Sequence, residues 1–483
     1  CPCSWAPPAA PSCEMVVFIS VVVVLIGLWT LRCHLLFPEP RWTWAALEHK
    51  LDTVRFPRSF LWGTATAHHQ IEGGHTHNNW SQWEAKVRDD GTTPIQGGDR
   101  CGDAADHWNR WREDIDAMDQ VLGVNAYRFS VSWSRIEPRR GEFDADAIAH
   151  YHELIDELLA RGITPMLTLH HFAHPDWFEN IGSFEDERNI QYMVNFGRRM
   201  FAEFGEKVPL WCTINEPGPF SVMGWGLGVF PPGKRSMPTL ARVIRNLCVA
   251  HVRLVEMIRT MPGGDRVQVG LVKNIFQFDP WRRWSPVHWA LCRVADHVYN
   301  QSILGFLETG RLRLRIPGLM WWNEQIEGPR GDFVGLNYYA NLLLDPFMST
   351  QPPFDAHTRP GQVLTDMPYA TYAEGLWRAL HRLADVGLPI YVTENGIADS
   401  DDSRRATWIR RYLFAMRRAM DEGVDVRGFF YWSLLDNFEW AEGFQMRFGL
   451  LAVDYPTQAR TLRPGAQPFI DTIRRSQAPE ESP

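Results

Sequence analysis

Eight short apolar segments, most of them separated by helical pattern, restrict the fold of this 483-residue chain more than any other feature. Their length and their β-branched and aromatic content are typical of buried strands. Eight strands that alternate with helices predict a (β/α)8 TIM barrel, a fold that can use more than about 400 residues as a single domain. The predicted strands lie near residues 60–67, 126–133, 164–170, 209–216, 269–278, 332–339, 389–394 and 426–432.

The helical pattern is clearest at two places between the strands. Residues 103–122 carry apolar side chains at three- and four-residue steps and end at Gly123. Residues 147–161 repeat this arrangement and end at Gly162. Three long loops are predicted to frame the mouth of the barrel, near residues 71–102, 311–330 and 345–370.

Two glutamates end predicted strands in the same way. Glu216 is followed by Pro217 and Gly218, and Glu394 by Asn395 and a glycine, so neither strand continues. Alone, a glutamate at a strand end is usually a solvated or capping residue. Functional residues of this barrel lie at the C-terminal ends of the strands, so we expect both carboxyl groups at one mouth. Such a pair fits cleavage of a glycosidic bond, which needs a proton donor and a second carboxylate across the sugar.

Seven motifs, in order along the chain, resemble those of glycoside hydrolase family 1, the β-glucosidase family of retaining enzymes on a (β/α)8 barrel. The resemblance covers about residues 56–475 and implies one catalytic domain there. His68, His69 and Phe172 depart from the commonest pattern, which leaves the detailed sugar and aglycone preference open. The motifs span residues 63–73, 127–133, 169–172, 213–217, 332–339, 392–396 and 432–440.

The resemblance implies roles for the residues around the two carboxyl groups. Glu216 is expected to be the general acid/base, and Glu394 the nucleophile. Arg128 is expected to keep Glu394 ionised, and Tyr339 to donate a hydrogen bond to the same carboxylate. Asn215 is expected to hold the sugar 2-hydroxyl. Asn337 matches a family position near the acid/base, where a purely structural role is an equally open interpretation.

A further group of residues matches the family's sugar-binding positions. They combine hydrogen-bonding groups for the hydroxyls with aromatic planes for the C–H face of a pyranose. Glu439 would repel a sugar phosphate, so we expect a sugar that is not phosphorylated. Phe448 is expected to shape the pocket near the 6-hydroxymethyl group. The sugar-binding candidates are Gln70, His171, Trp432, Glu439, Trp440 and Phe448.

The implied activity is hydrolysis of terminal non-reducing β-D-glucosyl residues by double displacement through a covalent glycosyl-enzyme. β-Galactosyl and β-fucosyl residues are further candidates. The alternative is a membrane-bound transglycosidase that passes the sugar to a glycolipid or another alcohol. A non-catalytic binding module on the same fold is disfavoured, because both Glu216 and Glu394 are present.

An apolar stretch precedes the predicted barrel. Residues 16–37 are long and apolar enough for a membrane span, which needs about 20 mainly apolar residues. A cleaved signal peptide is the alternative, but no basic residue precedes the stretch and no Ala-x-Ala site follows it. We therefore expect a single-pass anchor over residues 15–37, with the barrel on either side of the membrane. Residues 1–14 form an N-terminal extension, and residues 476–483 a C-terminal tail.

The segment between the anchor and the barrel, residues 38–55, has two interpretations. Trp44, Leu47 and Leu51 share one helical face, so the segment could lie along the membrane surface. It could equally be a linker.

Charge and motif content exclude several other partners. The net charge is −8 and no basic block occurs, which argues against nucleic acid. The sequence contains no phosphate-binding loop, dinucleotide fingerprint or metal-ligand spacing, so we expect neither cofactor nor metal. The eight cysteines show no pattern of a disulfide framework. The oligomeric state is not indicated.

Overall fold

The structure, a computed structural model, describes residues 13–316, 318, 320–346 and 357–479. Its strands are short, and those of the barrel are almost entirely buried because helices cover the outside of the sheet. In chain order the strands are β1 (Leu61–Ala65), β2 (Ala126–Ser130), β3 (Thr164–His170), β4 (Leu210–Asn215), β5 (Gln268–Asn274), β6 (Gln277–Pro280), β7 (Arg311–Ile316), β8 (Met320–Gln325), β9 (Phe333–Asn337), β10 (Asn341–Leu344), β11 (Ile390–Asn395), β12 (Val426–Trp432), β13 (Leu451–Asp454) and β14 (Ala459–Leu462).

Eight of these strands close into a parallel barrel in the order β1-β2-β3-β4-β5-β9-β11-β12, with β12 returning to β1. Each of the eight begins within one residue of the start of a predicted strand, so the prediction of a (β/α)8 barrel is confirmed. The predicted run 269–278 divides into two strands. Its first part is β5 of the barrel, and its end becomes β6, which pairs with β10 outside the barrel.

Helices alternate with the barrel strands. The predicted helix 103–122 is a helix over 107–116 that continues as a π-helical turn to Leu122 and stops at Gly123, whose φ is +67°. In order the α-helices are α1 (Cys13–Leu36), α2 (Trp44–Leu51), α3 (His68–Ile71), α4 (Asn79–Glu84), α5 (His107–Asp116), α6 (Trp133–Ile136), α7 (Ala145–Ala160), α8 (Asp176–Asn180), α9 (Ile190–Phe204), α10 (Pro217–Ser221), α11 (Met237–Arg259), α12 (Pro286–Asp296), α13 (Ser302–Thr309), α14 (Ala373–Ala384), α15 (Arg405–Asp421) and α16 (Gln467–Gln477).

One predicted loop is wrong. Within the range 311–330, β7 (Arg311–Ile316) and β8 (Met320–Gln325) pair as antiparallel strands. Leu312 and Leu314 are buried on one face, whereas Arg311 and Arg313 are exposed on the other. This period of two is a strand signal. In the predicted loop 345–370, residues 347–356 lie outside the described residues.

The apolar N-terminal stretch forms α1, a helix of 24 residues. Its most apolar window has a mean hydropathy of 2.4, and none of that window is buried against the rest of the protein. By length and composition, α1 is therefore able to cross a membrane. Most of the predicted extension 1–14 lies outside the described residues, as do residues 480–483 of the tail.

Residues 38–55, which we call the strap, pack onto the barrel. Glu39 accepts hydrogen bonds from Arg359 at 3.1 and 3.0 Å. The Trp42 backbone N–H donates to Glu374 at 2.8 Å, and the Trp42 ring lies 5.9 Å from that of Phe414. The strap is therefore fixed to the catalytic barrel at several points.

The apolar face of α2 also meets protein. Trp44 packs on Phe414 of α15 at 6.1 Å, and Leu51 is 2% exposed. Arg410 of α15 closes the other side through Asp52. Neither the interpretation as a membrane-surface helix nor that as a free linker describes the strap, because the barrel itself covers this face.

Candidate active site

The C-terminal ends of the barrel strands bring the candidate residues together. Asn215, Asn337 and Trp432 are the last residues of β4, β9 and β12. Glu216 follows β4 with a φ of +46° and is the N-cap of α10, whose first helical position is Pro217. Glu394 is the penultimate residue of β11. Both glutamates line one cavity of about 340 Å³.

The Glu394 carboxylate is held from two sides. Arg128 Nη1 donates to its Oε1 at 2.6 Å, and the Tyr339 hydroxyl donates to its Oε2 at 2.7 Å. Burial raises the pKa of Glu394 above its ordinary value, while the Arg128 charge and these hydrogen bonds act in the opposite direction. The ionised form of Glu394 therefore has a dedicated cation.

Glu216 has a different environment. Asn337 Nδ2 donates to its Oε1 at 2.7 Å, and the side chain is 7% exposed. Burial and the negative charge of Glu394 raise the pKa of Glu216 to about 8. A pKa of about 8 lies above neutral pH, so Glu216 carries a proton there. Of the two carboxyl groups in the cavity, only Glu394 receives the Arg128 cation.

Asn215 links the two glutamates to the neighbouring strands. Its Oδ1 accepts hydrogen bonds from Arg128 at 2.8 Å and from Asn337 at 3.2 Å. Its Nδ2 lies 3.0 Å from His171 Nε2. Burial and Arg128 lower the pKa of His171 well below its ordinary value, so the ring is neutral. Within the described residues, the buried His171 Nδ1 has no hydrogen-bond partner and can serve a ligand.

A second hydrogen-bonded group includes Glu439. Gln70 Nε2 donates to Asn437 at 2.9 Å and to Glu439 at 3.2 Å. Gln70 Oε1 is buried and unpaired among the described residues. Burial and the charge of Glu394 raise the pKa of Glu439 to about 8.

The comparison with known families decides the classification. The model of glycosyl hydrolase family 1 matches residues 52–297 and 323–478. The chain belongs to glycosyl hydrolase family 1. Beta-glucosidase A of Thermotoga maritima is 32% identical over 456 residues, which cover 88% of this chain and 99% of that protein.

Solved structures of family 1 agree with this fold. A beta-glycosidase from Pyrococcus horikoshii is 36% identical, with a TM-score of 0.76, and the match covers 88% of this chain and 99% of that one. The Thermotoga maritima beta-glucosidase has been solved in complex with glucoimidazole and with galacto-hydroximolactam. Both structures are 30% identical to this chain, match it with TM-scores of 0.78 and 0.77, and cover 88% of this chain and all of theirs.

The family 1 candidates divide into two groups in this structure. Arg128, Gln70 and Asn337 do not line the cavity; they hold residues that do. The candidates that line the cavity are His171, Asn215, Glu216, Tyr339, Glu394, Trp432, Glu439, Trp440 and Phe448.

Sequence analysis missed four polar residues of the cavity: Asn274, Tyr299, Tyr369 and Glu442. Asn274 ends β5, and Tyr299 donates to its Oδ1 at 2.8 Å. The position of Asn274 at a strand end was an available signal. Tyr299 lies in a π-helical turn after α12, and the sequence gives no signal for it. In the described part of the chain, no group of three or more His, Cys, Asp or Glu residues is arranged to hold a metal ion.

Proposed function

We propose that this family 1 chain is a retaining β-glucosidase that removes terminal non-reducing β-D-glucosyl residues. One observation carries the proposal: Glu216 and Glu394 line one cavity in different surroundings. Arg128 and Tyr339 donate hydrogen bonds to the Glu394 carboxylate, whereas burial and the charge of Glu394 raise the pKa of Glu216 to about 8. Double displacement needs one protonated and one ionised carboxyl group at the same time. The protein is an O-glycoside hydrolase that uses this pair.

In the first half of the reaction, Glu394 attacks the anomeric carbon. The bond between this carbon and Glu394 forms while the bond to the aglycone oxygen breaks. Glu216 gives its proton to that oxygen, so the aglycone leaves as a neutral alcohol. Arg128 and Tyr339 keep Glu394 ionised and aimed until the attack.

In the second half, Glu216 is an anion and takes a proton from water. The water oxygen forms a bond with the anomeric carbon, and the bond to Glu394 breaks. Glu216 is then protonated and Glu394 ionised, as at the start. Two inversions at the same carbon release the sugar with its β configuration retained.

The sugar lies against groups that have hydrogen-bonding capacity left. His171 Nδ1 and Gln70 Oε1 are buried and unpaired in the described part of the chain, and Glu439 adjoins Gln70. Trp432 offers an aromatic plane to the C–H face of the ring. The 2-hydroxyl meets Asn215, whose position is fixed by Arg128.

The proposed specificity includes both glucosides and galactosides. The Thermotoga maritima relative has been solved in complex with glucoimidazole and with galacto-hydroximolactam. The proposed activity therefore includes β-galactosides as secondary substrates, and β-fucosides belong to the same test. Transfer to an alcohol uses the same intermediate, and no feature of the described residues favours an alcohol over water.

The function is tested with 4-nitrophenyl β-D-glucoside and two variants. Glu394→Gln removes the nucleophile and should lower kcat by at least about 1,000-fold. Glu216→Gln should slow hydrolysis of an alkyl glucoside far more than that of a 2,4-dinitrophenyl glucoside, because the latter leaving group needs no proton. Glu308→Gln, at an exposed position outside the cavity, is the matched control.

The stereochemical course is followed by proton NMR of the first-formed glucose. Initial release of the β-anomer supports double displacement. Initial release of the α-anomer, or full activity of Glu394→Gln, would contradict it.

Helix α1 supports a membrane anchor as the location of this enzyme. The test is fractionation of expressing cells followed by an alkaline carbonate wash, which removes peripheral proteins. Activity that stays in the membrane fraction and requires detergent for release supports the anchor. Soluble enzyme whose N-terminus has lost residues 13–36 would instead identify a cleaved signal.

A further inference from the structure

We propose that the natural substrate of this enzyme is a membrane lipid that carries a β-linked sugar. Its apolar tail leaves the cavity along one face of α12 and reaches the base of α1. The proposal rests on the β-glucosidase function and adds the chemical class of the aglycone. Three features of the described residues support it: the lining of the cavity, the outer face of α12, and the position of α1.

The cavity has more apolar wall than a sugar needs. Its polar lining residues are concentrated in the hydrogen-bonded groups around Glu216, Glu394 and Glu439. Most of the other lining side chains are hydrocarbon or aromatic. Among them are Phe230, Phe276, Phe278, Val298, Leu342 and Met367. Such a wall favours an aglycone that is itself apolar.

An apolar stripe connects this wall with the protein surface. Trp284, Val287, Leu291, Val294 and Val298 follow one another at steps of three or four residues, so they share one face of α12 and its flanking turns. Trp284 is 74% exposed, Val287 49% and Leu291 37%, whereas Val298 lines the cavity. At about 1.5 Å per residue the stripe is about 21 Å long.

The outer end of the stripe lies beside the helix that can cross a membrane. Trp284 lines one groove together with Ile26 and Leu31 of α1. The Phe37 ring, directly after α1, lies 6.3 Å from that of Trp289 and 3.5 Å from the Arg293 guanidinium, both on α12. The exposed side chains of the stripe thus continue the apolar surface of α1.

This continuity identifies the bilayer as the occupant of the stripe. Tryptophan is enriched at membrane–water interfaces, and Trp284 adjoins α1 in one groove. A lipid tail on the stripe would keep its hydrocarbon beside the membrane while its sugar enters the cavity. The strap holds α1 and the barrel in this relation through Glu39, which bonds Arg283 beside Trp284 and Arg359.

The experiment uses the full chain in detergent and in phosphatidylcholine vesicles. Alkyl β-D-glucosides of increasing chain length and a β-glucosyl diacylglycerol in the vesicles are compared with 4-nitrophenyl β-D-glucoside. Each methylene that packs on the stripe should raise kcat/KM up to about fourfold. The increase should continue beyond eight carbons, because the stripe extends well outside the cavity.

The variant Leu291→Asp places a charge on the exposed part of the stripe, outside the cavity lining. We expect kcat/KM for dodecyl glucoside and for the glucosyl lipid to fall at least fivefold, while the nitrophenyl glucoside changes less than twofold. Leu159→Asp, on α7 with 42% exposure, is the matched control and should leave all substrates unchanged. Trp284→Ser tests the outer end in the same assay.

The outcomes separate the two proposals. No hydrolysis of nitrophenyl glucoside would contradict the β-glucosidase function itself. Hydrolysis of this compound without a chain-length effect, or without release of glucose from the lipid, would overturn the lipid proposal alone. Equal losses in Leu291→Asp and Leu159→Asp would do the same. So would a dimer that Leu291→Asp dissociates, because a second copy would then cover the stripe.

Discussion

At the scale of single residues, Glu216 and Glu394 carry the same side chain and differ only in their neighbours. Glu394 receives the Arg128 guanidinium, whereas Glu216 receives a neutral amide and faces the charge of Glu394. Each neighbour comes from a different strand. The proposed division into acid and nucleophile therefore depends on residues that the barrel brings together and cannot be read from either motif alone.

The first prediction concerns pH. In the proposed mechanism the acid is the protonated form of Glu216. Its pKa is raised to about 8, so we expect full activity through neutral pH and a decline as pH rises through about 8. At an ordinary pKa the same decline would occur near pH 4.5. The measurement is kcat/KM for an alkyl glucoside against pH.

Glu439 provides the control for this profile, because burial and the charge of Glu394 raise its pKa to about 8 as well. In Glu439→Gln the alkaline limb should stay near pH 8, although KM rises. A limb that vanishes in this variant would assign it to Glu439 and contradict our assignment to Glu216.

The second prediction concerns Arg128, which is 1% exposed and bonds both Glu394 and Asn215. Arg128→Gln should lower kcat/KM by about 100-fold or more, since it removes the cation from the nucleophile. The acidic limb of the pH profile should also move upward, because the pKa of Glu394 loses the charge that lowers it.

Arg128→Lys is the conservative comparison, since it keeps the charge but loses the second donor to Asn215. Its acidic limb should lie between those of the wild type and Arg128→Gln. Identical profiles in all three proteins would show that Arg128 does not set the ionisation of Glu394.

The sequence predicted single residues well where a motif fixes them. Eight of the nine predicted cavity residues lie at or within eight residues of the end of a barrel strand, and Phe448 lies in the loop between β12 and β13. It failed for Tyr299, since a π-helical turn rotates that side chain into the cavity and no residue pattern announces such a turn. It also could not separate cavity-lining Glu439 from Gln70 behind it, because the resemblance assigns both to the same group of sugar-binding positions.

At the scale of elements, one buried arginine joins the ends of two barrel strands. Arg405 begins α15 and is fully buried. It donates to the Ile397 carbonyl at 2.9 Å, to the Tyr431 hydroxyl at 2.8 Å and to Asp402 at 2.8 Å. Ile397 lies three residues after Glu394, so the same guanidinium supports the segment that carries the proposed nucleophile.

The third prediction follows from this arrangement. Arg405→Met should destabilise the fold by about 3–5 kcal/mol, because buried acceptors lose their partners. Arg417→Met, at a surface pair with Asp421, should cost less than about 1 kcal/mol. Urea unfolding followed by tryptophan fluorescence measures both. Equal effects would contradict a special role of Arg405.

Elements were predictable where their periodicity agreed with the barrel. The eight strands were found because each is a short apolar run before a turn. The hairpin of β7 and β8 was missed although Leu312 and Leu314 alternate with arginines. The alternation of strands and helices does not predict this hairpin, because the hairpin is added between two barrel strands and interrupts the alternation.

At the scale of the whole molecule, the strap decides how α1 and the barrel are joined. Its helix α2 was predicted to have an apolar face containing Trp44 and Leu51, and this face exists. What covers the face could not be predicted, because a bilayer and a protein surface satisfy the same side chains. Contacts with residues more than 300 positions away, such as Phe414, supply the answer.

The fourth prediction concerns the removal of this segment. A chain without residues 1–37 keeps the strap and should unfold at nearly the same temperature as the full chain. A chain without residues 1–55 exposes the surface under Leu51 and should have a Tm lower by about 5 °C or more. Differential scanning calorimetry in one detergent compares the three proteins. Equal Tm values for the two truncations would show that the strap adds no stability.

The several bonds of Glu39 have a consequence for how such an enzyme searches for its target. This one carboxylate forms ion pairs with Arg41, Arg283 and Arg359. The chain that follows α1 is therefore not a flexible linker. An enzyme on a flexible linker would reach substrates at many distances from its anchor. If α1 crosses a membrane, a barrel fixed to it can only rotate about the membrane normal. Turnover would then depend on the lateral diffusion of substrate molecules to the membrane surface next to α1.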